Sequence, residues 1–282
     1  MLELRSLRPA DVDDAMALST QAGWNQVPAD WERLLSLASE GCFAGTVEGE
    51  LVATATVVTY GDVAWIGMVL VDEDHRSRGY GSRIFERGLE YAREAGDRIV
   101  GLDATHLGEP IYGKYGFETV ATVFRWQGEL ASGGTGVDPD RVRQLSSTDA
   151  DDLATFDRHR VGVDRSGLLR ELLGEEGVRG YGLDGPDGAL AGYAVVRPGR
   201  TSRQIGPLVA DREGIAPLLS AVGVDVGSQQ VIVDAPADDP VAGHLAATGL
   251  ERDRELVRMT HPEAEPALLG GSVRAFTCFA FG

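Results

Sequence analysis

The central motif of this sequence is WIGMVLVDEDHRSRGYGS, which runs from Trp65 to Ser82. Its first part is a short apolar run rich in β-branched residues, which predicts a buried strand, and apolar residues at helical spacing follow. Gly79 and Gly81 therefore fall in a turn from a strand to a helix. Free N–H groups at the start of a helix bind anions, and glycine lets a phosphate approach the main chain. The motif predicts a phosphate-binding turn, with a plain solvated turn as the alternative.

Two segments together resemble a known family. The pattern Arg-x-x-Gly-x-Gly occupies Arg76 to Gly81, and the sequence IYGKYGF occupies Ile111 to Phe117. In this order they resemble the GNAT superfamily of acetyl-CoA-dependent N-acetyltransferases. A dinucleotide-binding Rossmann turn is a poorer match, because the third glycine and the acidic residue about 20 positions further on are missing from their expected context.

The resemblance implies a site for acetyl-CoA as a co-substrate. In the family, the strand at this place splays to take the pantetheine arm, and the following turn wraps the pyrophosphate. No metal is expected, because the histidines show no ligand spacing with either cysteine. Carried onto this sequence, the predicted cofactor-binding residues are Met68, Val69, Leu70, Val71, Arg76, Ser77, Arg78, Gly79, Tyr80, Gly81 and Ser82.

Acetyl transfer by direct attack of an amine needs a stabilised oxyanion and a proton for the leaving thiolate. Main-chain N–H groups freed by the splayed strand are candidates for the oxyanion. The resemblance implies that Tyr112 is the general acid, with packing of its phenol beside the thioester as the alternative. The general base stays open among Asp103, His106 and Glu109. A cysteine acyl-enzyme is not expected, since neither cysteine adjoins a motif.

The second half of the sequence looks like a diverged copy of the first. The segment Glu129 to Asp140 is rich in glycine, which predicts a boundary between a catalytic domain, residues 1–130, and a second domain, residues 141–282. Where the copy should hold its phosphate-binding turn, Ile205 to Gly214 lacks the glycine pair and contains acidic residues. Leu245 stands in the place of Tyr112. We expect the second domain to have lost coenzyme A binding and catalysis.

The predicted fold class is α+β, with tandem GNAT-like domains that each contain a mixed, mostly antiparallel sheet flanked by helices. Segments of both halves also resemble a bacterial and archaeal two-domain GNAT subfamily. The most distinctive of these in the second half are Phe156 to Arg158 and Gly162 to Arg165. In the first half, Thr119 to Trp126 alternates and is predicted to close the first sheet.

The acceptor is expected to be a small-molecule amine bound between the domains. In GNAT proteins the loop between the first two helices borders the acceptor, although Trp24 could equally plug the core. Arginines from the second domain would favour an acceptor that carries a carboxylate as well as an amine. The candidate substrate contacts are Trp24, Asn25, Asp103, Thr105, Arg165 and Arg197.

The alternative function is a non-catalytic acyl-CoA-binding sensor or regulatory protein. An intact Tyr112 counts against it, and turnover of acetyl-CoA with a mixture of amines separates the two functions.

Composition narrows the possible partners and location. No apolar run reaches the roughly 18 residues of a membrane-spanning helix, and the first residues read as a strand rather than a signal peptide, so a cytoplasmic protein with no membrane partner is expected. The negative charge balance leaves no basic patch, so nucleic acid is not expected as a partner. Cys42 and Cys278 read as buried thiols rather than a disulfide. The sequence does not predict the oligomeric state.

The charge balance also predicts a response to salt. The formal charge is −18, and Lys114 is the only lysine among 26 cationic residues, which resembles halophilic proteins; codon bias is the alternative reason for the missing lysines. At 1 M salt charges are screened over about 3 Å, which relieves the repulsion between carboxylates. We expect the melting temperature to rise between dilute buffer and molar KCl, and an unchanged melting temperature would contradict the halophilic interpretation.

Overall fold

The computed structural model describes residues 1–96, 99–130, 141–262 and 271–282. The first half contains, in chain order, β1 (Glu3–Ser6), α1 (Val12–Gln21), α2 (Pro28–Ala38), β2 (Cys42–Val47), β3 (Glu50–Tyr60), β4 (Val63–Val71), α3 (Tyr80–Glu94), β5 (Ile99–Ala104), α4 (Glu109–Gly113) and β6 (Glu118–Glu129). The second half contains β7 (Val142–Leu145), α5 (Ala150–Val161), α6 (Ser166–Gly174), β8 (Arg179–Asp184), β9 (Leu190–Arg197), β10 (Arg203–Ala210), α7 (Ile215–Val226), β11 (Gln230–Pro236), α8 (Val241–Ala247), β12 (Glu251–His261) and β13 (Val273–Ala275).

The two halves have the same order of elements up to β12. This order confirms the predicted internal repeat and the mixed, mostly antiparallel architecture flanked by helices. Strand β13 has no counterpart among the described elements of the first half. Most of the predicted linker, residues 131–140, lies outside the described residues, so the domain boundaries remain a prediction.

Helix α3 fixes the position of the two-glycine turn. Gly79 precedes the helix in a left-handed conformation with φ of 77°, which glycine adopts without strain. Ile84, Phe85 and Leu89 recur at helical spacing and are buried. They belong to a core cluster with Val57 of β3 and other residues of the central strands. The start of α3 is therefore held next to the end of β4.

The two halves share one sheet because their last strands are exchanged. The strands run in the order β1-β2-β3-β4-β5-β12-β6-β11-β10-β9-β8-β7, and β13 pairs with β10 outside this path. Thus β12 of the second half lies between β5 and β6, and β6 pairs with β11. The prediction that Thr119 to Trp126 closes the first sheet was wrong, because local alternation predicts a strand but does not specify its neighbours.

The exchange changes what is expected of the isolated first half. In residues 1–130 alone, β5 would lose β12, and β6 would lose both of its partners. Unpaired strand edges promote aggregation. We expect this fragment to be unfolded or aggregated by circular dichroism and size-exclusion chromatography, and not to bind coenzyme A independently.

Co-expression with residues 141–282 is the matched control, since it supplies the missing strands and should give a soluble complex. A folded, monomeric 1–130 fragment that binds coenzyme A would contradict the expectation.

Two further observations bear on the sequence predictions. Cys42 and Cys278 are buried and free, which confirms that they form no disulfide with each other. None of the helices in the described ranges combines the length and the apolar character needed to cross a bilayer.

Candidate active site

The site is built where β4 and β5 separate. These strands pair in parallel only from Val63 opposite Ile99 to Trp65 opposite Gly101. On the other side of β4, the register with β3 shifts between Thr54 and Thr56. Met68 lies in this bulge with a left-handed φ of 50°. The backbone that follows Trp65 therefore leaves β5, as the family resemblance implied.

The bulge exposes main-chain groups to the gap between the strands. Neither Met68 nor Val69 has a register partner on β3 or β5. The Thr54 hydroxyl donates a hydrogen bond of 2.8 Å to the Met68 carbonyl and so holds the bulge in place. The bulge therefore places the Val69 backbone in the gap between β4 and β5.

A groove of about 320 Å³ lies between the end of β4 and the start of α3. We call it the cofactor groove. Most of the predicted cofactor-binding residues line it, together with four that the prediction omitted. The lining is Val69, Val71, His75, Arg76, Ser77, Gly79, Tyr80, Gly81, Ser82, Phe85, Ile111 and Tyr112.

Three predicted cofactor residues lie outside this lining. Met68 lines a second cavity, described below. Leu70 is buried in the core, and the Arg78 guanidinium donates to the Asp74 carbonyl at 2.9 Å. Side chains alternate between the two faces of a strand, so Leu70 points away from the face that carries Val69 and Val71 and does not line the groove.

The phosphate-binding turn has free donors. Within the described ranges, no backbone carbonyl accepts a hydrogen bond from the N–H groups of Ser77 to Ser82, and the first bond of the helix runs from Arg83 N to Gly79 O at 3.2 Å. A Cβ built on Gly81 would lie 3.6 Å from Val71 Cγ2, an ordinary contact. Because Gly81 lines the groove, any larger side chain there would occupy the groove rather than clash with the protein.

A second cavity of about 160 Å³ adjoins the groove at Val69 and Tyr112. We call it the acceptor cavity. Val69 and Tyr112 line both spaces, so the groove and the cavity meet at these two residues. The lining is Trp24, Gln26, Ile66, Gly67, Met68, Val69, Leu102, Asp103, Ala104, Thr105, Gly108, Tyr112, Arg125, Arg254, Leu256, Phe279 and Ala280.

The Tyr112 phenol lies where the groove and the cavity adjoin. Its ring packs against Phe85 with centroids 4.7 Å apart. Burial raises the pKa of Tyr112 to about 12, because the phenolate would be poorly solvated there. No protein group in the described residues forms a hydrogen bond with its hydroxyl. At neutral pH the hydroxyl is protonated and available to a ligand.

Asp103 lines the acceptor cavity, but both of its oxygens are engaged. Arg258 of β12 donates to them through Nε and Nη2, each at 2.8 Å. Burial raises the pKa of Asp103, and the Arg258 charge opposes that shift. The other candidate bases, His106 and Glu109, are exposed and do not line the cavity.

Three predicted acceptor contacts lie away from the cavity. The Asn25 side chain binds a loop of the second half, accepting from Thr201 N at 3.0 Å and donating to Ser202 O at 2.9 Å. Buried Arg197 pairs with Asp30 of α2 at 2.8 Å. Asn25 and Arg197 therefore lie between the two halves, where the acceptor was expected. They do not line the acceptor cavity.

Arg165 is also held within the protein. It is fully buried and binds Asp157 at 2.7 Å and the Tyr193 hydroxyl at 3.2 Å. The predicted contacts that do line the cavity are Trp24, Asp103 and Thr105. Sequence reasoning missed Gln26, although it directly follows the Trp24-Asn25 pair, and it missed the cavity residues of β12 because that strand was not predicted.

The segment that follows β13 completes the acceptor cavity. The Trp65 indole Nε1 donates to the Phe279 carbonyl at 3.0 Å. A Cβ on Gly67 would come within 2.9 Å of the Ala280 carbonyl oxygen, so glycine allows this close approach. Phe279 and Ala280 therefore lie directly against β4 and form one wall of the cavity.

The corresponding gap in the second half is filled by the chain itself. Strands β10 and β11 pair in parallel only from Arg203 to Ile205 on β10. Beyond that point β13 pairs with β10, with Leu208 opposite Ala275, and Phe276 N donates to the Asp234 carbonyl at 2.8 Å. In the described part of the second half, this pairing fills the gap between β10 and β11, whereas the gap between β4 and β5 stays open in the first half.

Comparison with known proteins agrees with this architecture. A model of the acetyltransferase (GNAT) family matches residues 10–117, and a model of an acetyltransferase (GNAT) domain matches residues 153–269. Holothin acyltransferase of Pseudoalteromonas sp. (strain SANK 73390) is 30% identical over 239 residues, which cover 82% of this chain and 79% of the relative. The chain belongs to the GNAT family of acetyltransferases.

A second relative and two solved structures also extend over most of the chain. The uncharacterized N-acetyltransferase YitH of Bacillus subtilis is 27% identical over 216 residues, 76% of this chain and 75% of the relative. A protein of Pyrococcus horikoshii has a TM-score of 0.85 at 21% identity, covering 100% of this chain and 96% of its own. A tandem GNAT protein from the clavulanic acid biosynthesis pathway has a TM-score of 0.64 at 20% identity, covering 94% and 100%. The chain is therefore an acyltransferase with two GNAT domains in tandem.

Proposed function

We propose that this GNAT protein transfers an acetyl group from acetyl-CoA to the amine of a small molecule by direct attack, with one coenzyme A per chain. One observation carries the proposal: the cofactor groove and the acceptor cavity meet at Val69 and Tyr112. Two ligands that enter from opposite sides would bring their reacting ends together there. Holding two reactants in this way lowers the entropic part of the barrier.

The residues of the groove fit the parts of coenzyme A. The free N–H groups of Ser77 to Ser82 and the positive end of α3 suit the pyrophosphate, and Arg76 adds a positive charge. The apolar side chains of Val69 and Val71 suit the pantetheine arm. Gly81 leaves room for a phosphate that a Cβ would fill.

Tyr112 is proposed to stabilise the leaving sulfur. When the amine nitrogen bonds to the acetyl carbon and the C–S bond breaks, sulfur takes the electron pair and needs a hydrogen-bond donor. The Tyr112 pKa of about 12 lies above that of a typical thiol, about 8.5. Complete proton transfer from the phenol is therefore uphill, and a strong hydrogen bond to the developing thiolate is its larger contribution.

The amine is proposed to arrive neutral and to release its proton to water. Asp103 is the one carboxylate that lines the described part of the acceptor cavity, and Arg258 occupies both of its oxygens. It is therefore a poor general base in this state. A rate that rises with pH up to the pKa of the acceptor amine is expected.

Acetyl-CoA turnover with a mixture of small amines tests the proposal. Amine-dependent release of the free thiol, with acetylated amine detected by mass spectrometry, is expected. Calorimetry should give one coenzyme A per chain. Two equivalent coenzyme A sites, or release of thiol with no acetylated amine, would overturn the proposal.

A further inference from the structure

Arg254 is a cationic residue of the acceptor cavity without a counter-ion. It lies on β12, lines the cavity and is half-buried. Counting only partners among the described residues, its guanidinium forms no ion pair or hydrogen bond. A partly buried charge is costly when it is not paired. The position therefore suits a residue whose partner is a ligand.

The neighbours of Arg254 increase this cost when the cavity is empty. Arg254 stands directly opposite Arg125 of β6 in the sheet. Like charges in that position destabilise a strand pair. Asp234 binds Arg125 through two hydrogen bonds of 2.7 and 2.8 Å, which leaves Arg254 uncompensated. Asp253 and Glu255 are exposed and do not line the cavity.

We propose that Arg254 binds a carboxylate of the acceptor, so that the acceptor is a small amine that also carries a carboxylate. The inference rests on the proposed function, because it takes this cavity as the acceptor site. A guanidinium presents two parallel N–H groups that match a carboxylate. Gln26 lines the same cavity, and its buried Oε1 has no hydrogen-bond partner in the described ranges, so it can accept from the amine N–H.

The size of the cavity limits the acceptor. Its volume is about 160 Å³. An engineered protein cavity of about 150 Å³ holds one benzene molecule. An aminocarboxylic acid with a short aliphatic or single-ring spacer fits within this space, and a larger acceptor would extend beyond it.

The first test compares acids with matched neutral amides in the full chain. Glycine, β-alanine, γ-aminobutyrate and 4-aminobenzoate are assayed against their primary amides with acetyl-CoA at constant ionic strength. We expect at least one acid to exceed its amide by about tenfold or more in kcat/KM, the size of a charge-assisted hydrogen bond. Arg254→Gln should remove the preference for the acids through KM, and Arg254→Lys should retain part of it.

Arg252→Gln is the matched control on the same strand. The Arg252 guanidinium lies over the rings of Phe124 and Trp126 at 4.2 and 5.2 Å, and it does not line the cavity. This variant should keep the preference of the unaltered protein for acids.

A second test measures binding without turnover. The melting temperature of the protein saturated with coenzyme A is followed with acetate, butyrate and benzoate, and with the corresponding amides. We expect the carboxylates to raise the melting temperature of the unaltered protein and of Arg252→Gln more than the amides do. Arg254→Gln should lose this difference.

The outcomes separate the inference from the proposed function. Acetylation of acids and amides with equal kcat/KM would overturn the role of Arg254 and leave the acetyltransferase proposal standing. If no amine is acetylated, carboxylate stabilisation that depends on Arg254 still supports the anion subsite. Equal stabilisation by carboxylates and amides, or no effect of Arg254→Gln, overturns it.

Discussion

Gly81→Val should abolish coenzyme A binding, at concentrations that saturate the unaltered protein, while the fold is retained. Gly81 lines the cofactor groove beside the free N–H groups at the start of α3. Its added Cβ meets only Val71 Cγ2, at 3.6 Å, so the protein itself accommodates the change. The valine methyl groups would occupy the space in which a phosphate must approach the main chain. Isothermal titration calorimetry measures the loss.

Gly243→Val is the matched control for this substitution. Gly243 also lies in a helix, α8, and a Cβ there meets no described atom within 4 Å. Both variants replace a helical glycine with valine, which has a higher helix propensity than glycine, and both should melt cooperatively. Gly243→Val should bind coenzyme A normally. Retained affinity in a folded Gly81→Val protein would remove the assignment of the phosphate-binding turn.

Tyr112→Phe should lower kcat by about 100-fold or more and change KM little, since loss of one donor to a developing anion has this effect. The hydroxyl contributes in the transition state, when sulfur takes up charge, more than in the bound ground state. The ring packing against Phe85, with centroids 4.7 Å apart, is kept by phenylalanine, so the change isolates the hydroxyl. Steady-state kinetics with single-turnover measurements show whether chemistry limits the rate.

Tyr115→Phe provides the control, because Tyr115 lies three residues further along and its hydroxyl donates to Glu86 at 2.9 Å. It lines neither the cofactor groove nor the acceptor cavity. Its removal should leave kcat within a few-fold of the unaltered enzyme. An unchanged kcat in Tyr112→Phe, with acetyl transfer rate-limiting, would assign Tyr112 to packing alone.

The two halves illustrate how one fold keeps or loses a ligand site. In the first half, β4 and β5 separate around an open groove, and in the second half β13 enters the equivalent gap between β10 and β11. The segment after β13 then supplies Phe279 and Ala280 to the acceptor cavity of the first half. The same stretch of chain therefore closes one gap and shapes the other.

The turn with two glycines between β4 and α3 could be predicted from sequence because it is local. Its donors are consecutive N–H groups, its geometry depends on the left-handed Gly79, and its charge comes from the helix that follows. The same holds for Tyr112, which the family motif places on a short helix after β5. Repeated elements in the second half were recognisable for the same reason, since strand alternation and helical spacing are properties of short segments.

By itself, the sequence determined the family, the repeat and most of the residues that line the groove between β4 and α3. Only the tertiary structure decided which residues surround the acceptor, because the cavity joins Trp24, Asp103, Arg254 and Ala280 from distant parts of the chain. Their meeting depends on β12 lying between β5 and β6, which burial and strand pairing across the whole sheet select. The arginines of the second half are another example of what only the tertiary structure decided. Arg165 and Arg197 are paired within the protein, whereas Arg254 is left for a ligand, and residue type alone does not distinguish them.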